Sequence, residues 1–370
     1  MSKIQKLTMP KWGLSMAEGT IARWNVEEGA QIERGMEVLD VETEKIANAV
    51  EASIGGVLRR KVVKEGDVVP VSGLLAVLAD PSVPDSEIDA FIAEEQANFV
   101  PPAESEEDTS PKPQTIDARG HKLRYLKRGE GGTPVVLIHG FGGDLNNWLF
   151  NHEALAAGRT VYALDLPGHG ESSKQLERGD VAELADAVVA FMDGIGIESA
   201  HLVGHSLGGA VAMQAASAHR SRVASLTLIC SAGLGEEINS GYIKGFVSSK
   251  SRGEIKPYLQ QLFADPALVT RQLVDDILKY KRLDGVDEAL RKISDAAFSQ
   301  GKQAIILGSV ITASGIPLLV IAGDQDAIIP ASHAQTMENV AKVRIIPGKG
   351  HMVQMEAAAE VNSLIEEFIS

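Results

Sequence analysis

Residues 1–80 carry short β-branched runs broken by glycines, such as Thr20-Ile21, Val38 to Val41, Val62-Val63 and Val68-Val69. No stretch of helical length there shows a 3.6-residue period. Many short strands between regular turn signals predict a small all-β unit. From about residue 116 the pattern changes to short apolar runs, at 134–138, 161–164, 201–203, 226–229 and 317–322, separated by helical stretches such as 181–192 and 209–218. Buried strands alternating with helices predict a largely parallel sheet. Between about 235 and 310 the strand pattern is lost, which predicts an inserted helical cap.

The first unit also repeats itself. Gly19 aligns with Gly56, Arg23 with Arg60, Glu28 with Glu65, Gly29 with Gly66, and Gly35 with Gly73. Two similar halves can pack by a pseudo-twofold into one flattened β-barrel. Lys45 falls at the midpoint of the repeat, where a hairpin tip is most exposed.

Residues 81–115 read as an acidic linker. They hold six of the 15 prolines and nine acidic residues against one lysine, Lys112. Such a composition cannot order itself throughout; wholly flexible, it would span roughly 30 Å. One island, 86–99, places Ile88, Phe91, Ile92 and Phe99 at helical spacing, with Ser86 as cap and Asp89 three residues on. Packing on its own neighbours is favoured over docking to a partner subunit. The expected domains are therefore 1–80, the linker 81–115, and 116–370 with the cap at about 235–310.

Charge and composition narrow the function. The formal net charge of −15 argues against nucleic acid and anionic membrane surfaces as partners. A single cysteine, Cys230, permits no intramolecular disulfide and suits a reducing compartment. It closes an apolar run and reads as a small buried residue. No apolar run nears the ~20 residues that span a bilayer, and 1–7 carry no signal-peptide core. A cytoplasmic location is expected.

The segment Val41-Glu42-Thr43-Glu44-Lys45-Ile46-Ala47 resembles the hairpin of lipoyl domains. That family usually shows an acidic residue, often Asp, before the modified lysine and a small residue after it. Here Glu44 stands before Lys45, and Ile46 separates it from the small Ala47. Biotin carriers flank the lysine with methionines, which this chain does not. The resemblance covers 4–80, including Met9-Pro10, Gly19 and Gly55-Gly56. It implies N6-lipoyllysine at Lys45. A cofactor on such an arm, tethered by a flexible linker, gains effective concentration at more than one active site.

In the second unit, Gly204-His205-Ser206-Leu207-Gly208 follows an apolar run and opens a helical stretch. This is the G-x-S-x-G nucleophile elbow in its strand–turn–helix context, with Ser206 as nucleophile and the Leu207 N–H as an oxyanion donor. His139-Gly140-Phe141-Gly142-Gly143 resembles the HG-containing oxyanion loop of α/β hydrolases, which would make Phe141 the second donor. Asp165-Leu166-Pro167-Gly168-His169-Gly170-Glu171-Ser172 resembles a structural loop of that family. The acid and the base should follow in that order. In Gly323-Asp324-Gln325-Asp326 the resemblance to α/β hydrolases implies Asp326 as the acid, with Asp324 as the fallback, and Gly350-His351-Met352 supplies the general base His351. No metal site is expected.

A triad implies acyl transfer but does not name the acceptor. The whole chain resembles the dihydrolipoamide acetyltransferase components of acetoin-cleaving (acetoin dehydrogenase) complexes, in forms that carry an α/β-hydrolase domain. That resemblance implies transfer of an acetyl group from lipoyl-Lys45 to coenzyme A. The implied partners are a thiamine-diphosphate-dependent acetoin-cleaving component and dihydrolipoamide dehydrogenase, in an oligomeric complex. The H-x-x-x-D-G motif of the usual acyltransferase domain is missing, and so is a clear peripheral-subunit-binding domain. Direct thiol attack without an acyl-serine stays open. So do a serine esterase or thioesterase with a carrier attached, and a non-catalytic lipoyl carrier or scaffold.

Overall fold

The computed structural model describes residues 4–10, 12, 16–43, 47–52, 54–99 and 111–370. The chain divides into two compact units, Met1–Ser110 and Pro111–Ser370.

Among its described residues the first unit has eight strands: β1 (Ile4–Thr8), β2 (Glu18–Trp24), β3 (Gln31–Ile32), β4 (Glu37–Glu42), β5 (Ala47–Glu51), β6 (Gly56–Lys61), β7 (Val68–Pro70) and β8 (Leu74–Ala79). They form two four-stranded sheets, ordered β1-β8-β6-β3 and β5-β4-β2-β7. Exchanging β1 with β5, β8 with β4, β6 with β2 and β3 with β7 turns one order into the other. The sequence repeat is thus a pseudo-twofold in space. The turns obey it too: the Gly29 N–H donates to Leu58 O and the Gly66 N–H to Ile21 O, and both glycines have φ +89°. One expected pair is off by one. Gly35 (φ +87°) corresponds to Ser72 (φ +67°), because both sit at the left-handed turn position; Gly73 is the next residue. Leu7, Ile21, Leu39, Val41, Leu58 and Leu75 pack into one core.

The helix in the expected linker spans Asp85–Asn98 and belongs to this unit. Ile88 is fully buried and clusters with Val77, Ala79 and Val83, flanked by Phe91 and Ile92. Ser86 does not cap it. The N-cap is Pro84, and the Arg59 guanidinium instead ties the helix start by donating to Asp80 O, Val83 O and Asp85. Asp89 pairs with Arg60, and Glu95 with Lys6. These exposed pairs orient the helix; the buried isoleucine supplies most of the energy.

The second unit begins with β9 (Gln114–Ala118), so the expected boundary at residue 116 falls inside a strand. The cause is local: Gln114 pairs with Tyr125, whose hydroxyl donates to Gln114 Oε1 at 2.8 Å. β10 (His121–Arg128), β11 (Val135–Ile138), β12 (Val161–Leu164), β13 (Ala200–His205), β14 (Val223–Ile229), β15 (Leu318–Gly323) and β16 (Lys342–Ile346) complete an eight-stranded sheet. Its order is β16-β15-β14-β13-β11-β12-β10-β9. The pairings from β12 to β16 are parallel, and β9 and β10 pair antiparallel. Helices Ser240–Ser248, Arg252–Leu259, Arg271–Lys281, Val286–Ala297 and Gly308–Ser314 lie between β14 and β15 as the cap. Ligands of such sheets bind beyond the carboxyl ends of the strands. Among the described residues, no helix is long and apolar enough to cross a membrane.

Candidate active site

β13 ends at His205 and the next helix starts at Leu207, so Ser206 alone makes the turn. It does so at φ +53°, ψ −120°, a region that costs a non-glycine residue about 1–3 kcal/mol. Its neighbours hold it there. The Ser206 N–H donates to Ile229 O at 2.9 Å, and its carbonyl accepts from Gly209 at 2.9 Å and Ala232 at 3.0 Å. Close backbone approach does the rest: a Cβ on Gly208 would lie 2.2 Å from Ile138 O.

His351 follows β16. Its Nδ1–H donates to Asp326 Oδ2 at 2.8 Å. The other Asp326 oxygen accepts from the N–H groups of Ile328 at 2.8 Å and Ile329 at 3.0 Å. Burial would raise the Asp326 carboxyl, but His351 and the two N–H groups outweigh it and hold it below the usual carboxylate range. The fallback, Asp324, turns elsewhere and accepts from Gly348 N–H at 2.6 Å. The structure therefore brings His351 and Asp326 together and leaves Asp324 out.

The residue before the serine anchors the base. His205 Nε2–H donates to His351 O at 2.9 Å, and the two rings are 4.8 Å apart. Burial, with His351 adding to it, lowers His205 to about 3, so it stays neutral.

His139 orders the expected oxyanion loop. Its Nδ1–H donates to Gly140 O at 2.8 Å, and its Nε2 accepts from Leu166 N–H at 3.0 Å. Both bonds need one neutral tautomer, and burial lowers its pKa in agreement. A Cβ on Gly140 would meet Ser206 Cβ at 3.0 Å, so this loop lies against the serine. Phe141 follows, and Leu207 opens the helix whose first N–H groups lack intrahelical partners. Asp165 is buried and accepts from Leu145 N–H at 2.7 Å and Glu171 N–H at 2.9 Å, a loop-bracing role.

Sequence reasoning missed Glu356. Its carboxylate accepts from Gly350 N–H at 2.9 Å and Ala264 N–H at 3.0 Å, tying the segment before His351 to the cap. It has no motif; an acid in a helical run carries no such signal. Cys230 is buried as expected and has φ +43°. The Cys230 thiol and the ligand atoms of Asp326 and His351 lie within 4.8 Å of one another. Burial, then the Asp326 charge, pushes the thiol well up, so it stays protonated.

Lys45 lies outside the described residues. The strands on either side of it are described: β4 and β5 pair antiparallel, with Glu42 opposite Ala47.

The unit boundaries have counterparts among known proteins. A family model described as the alpha/beta hydrolase fold matches residues 133–358, and one described as biotin-requiring enzyme matches 5–78. The chain is 54% identical over 370 residues to the dihydrolipoyllysine-residue acetyltransferase component of the acetoin cleaving system from Pseudomonas putida, covering 100% of this chain and 99% of the relative. It is 50% identical over 365 residues to the component of that name from Cupriavidus necator, covering 98% and 96%. Among solved structures, a meta-cleavage product hydrolase from Pseudomonas fluorescens IP01 matches with a TM-score of 0.64 and 26% identity, over 69% of this chain and 96% of that one.

Proposed function

The chain belongs to the dihydrolipoyllysine-residue acetyltransferase components of acetoin cleaving systems, and from that premise we propose how its two units divide the work. Lys45 would hold lipoate through an amide on Nζ. When bound, the lipoyl group supplies a thiol that carries the acyl group on a long arm. The acceptor is coenzyme A. The partners are a thiamine-diphosphate-dependent component that cleaves acetoin and dihydrolipoamide dehydrogenase, in a cytoplasmic assembly.

Ser206 is the nucleophile. Its Oγ attacks the acyl carbonyl carbon as His351 Nε2 takes the hydroxyl proton, and Asp326 fixes the ring with Nδ1–H toward itself. The N–H groups of Phe141 and Leu207 receive the oxyanion. His351 returns the proton to the leaving thiol. The thiol of coenzyme A then gives its proton to His351 and attacks the acyl-serine, and the proton goes back to Ser206 Oγ. Each half-reaction makes one acyl bond and breaks one. His205 and Glu356 position the base; neither touches the acyl group.

The observation that carries this reading is the full-length likeness to named acetyltransferases, with the expected acid–base pair at hydrogen-bond distance beside a strained serine elbow. The experiment is steady-state formation of acetyl-CoA from acetyl-dihydrolipoamide and coenzyme A. Ser206→Ala should reduce the rate by about 10⁶-fold. Transfer that survives this change intact would leave direct thiol attack as the mechanism.

A further inference from the structure

We propose that a cavity in the cap takes the pantetheine arm of coenzyme A, with Lys244 at its rim facing the nucleotide phosphates; this rests on the acetyl-transfer reading. The cavity of about 250 Å³ is lined by Ser240, Ile243, Lys244, Ser294, Phe298 and Gln300, among others. It is smaller than the roughly 300–1,000 Å³ of a typical ligand pocket, so it suits a slim chain and leaves a nucleotide outside. Three hydroxyls and one amide share the lining with two apolar side chains and one charge of each sign, Lys244 and Asp295. Pantetheine, with two amides along a short chain, matches that mixture. A lipoyl arm, mostly hydrocarbon with one amide, matches it less.

The position also fits. Phe298 in the cavity wall packs edge-on against Phe141, with ring centroids 5.7 Å apart. Phe246, three residues beyond Ile243 on helix Ser240–Ser248, does the same at 5.9 Å. Phe298 is therefore the ring that the cavity lining and the oxyanion loop have in common.

Charge points the same way. Residues 235–310 hold eleven lysines and arginines against ten acids, within a chain of net charge −15. The rest of the chain repels a polyanion, and the cap does not. Lys244 is exposed and enters no ion pair among the described residues. Gln300 is held at φ +55° in the lining, a strained conformation of the kind that persists at ligand sites.

Titration calorimetry on the full-length lipoylated protein, without acyl donor, tests the site. Coenzyme A and pantetheine are the probes. Lys244→Glu should weaken coenzyme A by about tenfold and leave pantetheine within about twofold, since only the former carries phosphates. Ser294→Trp, which fills the cavity, should weaken both. Coenzyme A binding that both variants leave unchanged would overturn the site while sparing the acetyl-transfer reading. Displacement of pantetheine by lipoamide would also overturn it, by assigning the cavity to the carrier arm. No binding of coenzyme A to the unaltered protein would overturn the acetyl-transfer reading itself.

Discussion

In the carrier unit every described strand has a symmetry mate, and Lys45 falls in the sequence between the two halves. In the hydrolase unit the proposed reactive groups come from the ends of β11, β13, β15 and β16, spread over more than 200 residues. The first scaffold has to present one lysine, and a symmetric barrel with a two-strand hairpin is enough. The second has to hold an acid, a base and a nucleophile in fixed geometry. It does so with strained backbone, close glycine contacts and buried neutral histidines. Precision in one unit and simple presentation in the other imply that the two should fail in different ways.

The largest expected difference comes from Lys45→Arg. Acetyl transfer driven through the carrier should fall to background. Transfer from free acetyl-dihydrolipoamide to coenzyme A should stay within about twofold, because the hydrolase unit is untouched. If both assays collapse together, the division of labour is wrong. Intact-mass measurement after expression with lipoate checks the same point, since the adduct should disappear with Lys45.

Next are the two neighbouring aspartates. Asp326→Asn leaves His351 without its charged partner and should reduce acetyl-CoA formation by roughly 10²–10⁴-fold. Asp324→Asn should stay within about threefold, because that side chain braces Gly348 instead. Equal losses would mean that Asp326 does not orient the base.

Glycines separate the units by stability. A Cβ on Gly208 would sit 2.2 Å from Ile138 O and 2.5 Å from His139 O, both backbone atoms. Gly208→Ala should cost more than about 3 kcal/mol, read as the urea midpoint of the hydrolase transition. Gly66 in the carrier has φ +89° and nothing within 4 Å of a built Cβ, so only the dihedral opposes a side chain. Gly66→Ala should cost about 1–2 kcal/mol. A larger loss at Gly66 than at Gly208 would invert the comparison.

Legibility in the sequence followed the same divide. The repeat of Gly19 on Gly56 and Gly29 on Gly66 foretold a twofold barrel; for Gly29 and Gly66 the reason is that left-handed turns leave a residue-type trace. It failed by one at Gly35, because Ser72 adopts the same conformation without being glycine. The elbow and the order of acid and base were legible because their local geometry demands particular residues. The choice of Asp326 over Asp324 came from the resemblance to α/β hydrolases; the residues alone left both open. Glu356 was not legible, since its partners Gly350 and Ala264 are backbone groups that meet only in the folded unit. The helix Asp85–Asn98 was seen, but its footing was not. Arg59 and Arg60 look like surface residues until the helix lies across them.

The remaining expected difference is in acid. All nine histidines lie from His121 onward, so the carrier unit has none. Between pH 7 and 5 histidine is the side chain whose ordinary pKa falls in range. In the hydrolase unit, burial lowers His152 to about 4 and His205 to about 3, and it lowers His139 and His169 as well. Below the unfolded value of about 6.5, the unfolded chain binds protons that the folded unit refuses. Stability is therefore full above that pH and falls as the pH drops toward the folded values. For His152, whose Nε2–H donates to Val161 O, the loss at pH 5 is about 2 kcal/mol. Urea unfolding at pH 7.5 and pH 5 should lower the midpoint of the hydrolase transition and leave the carrier transition nearly in place. His152→Gln can keep the bond to Val161 O without the titration, so it should recover about 2 kcal/mol of the acid loss. A carrier transition that shifts as far as the hydrolase one would mean that acid acts through carboxylates common to both units.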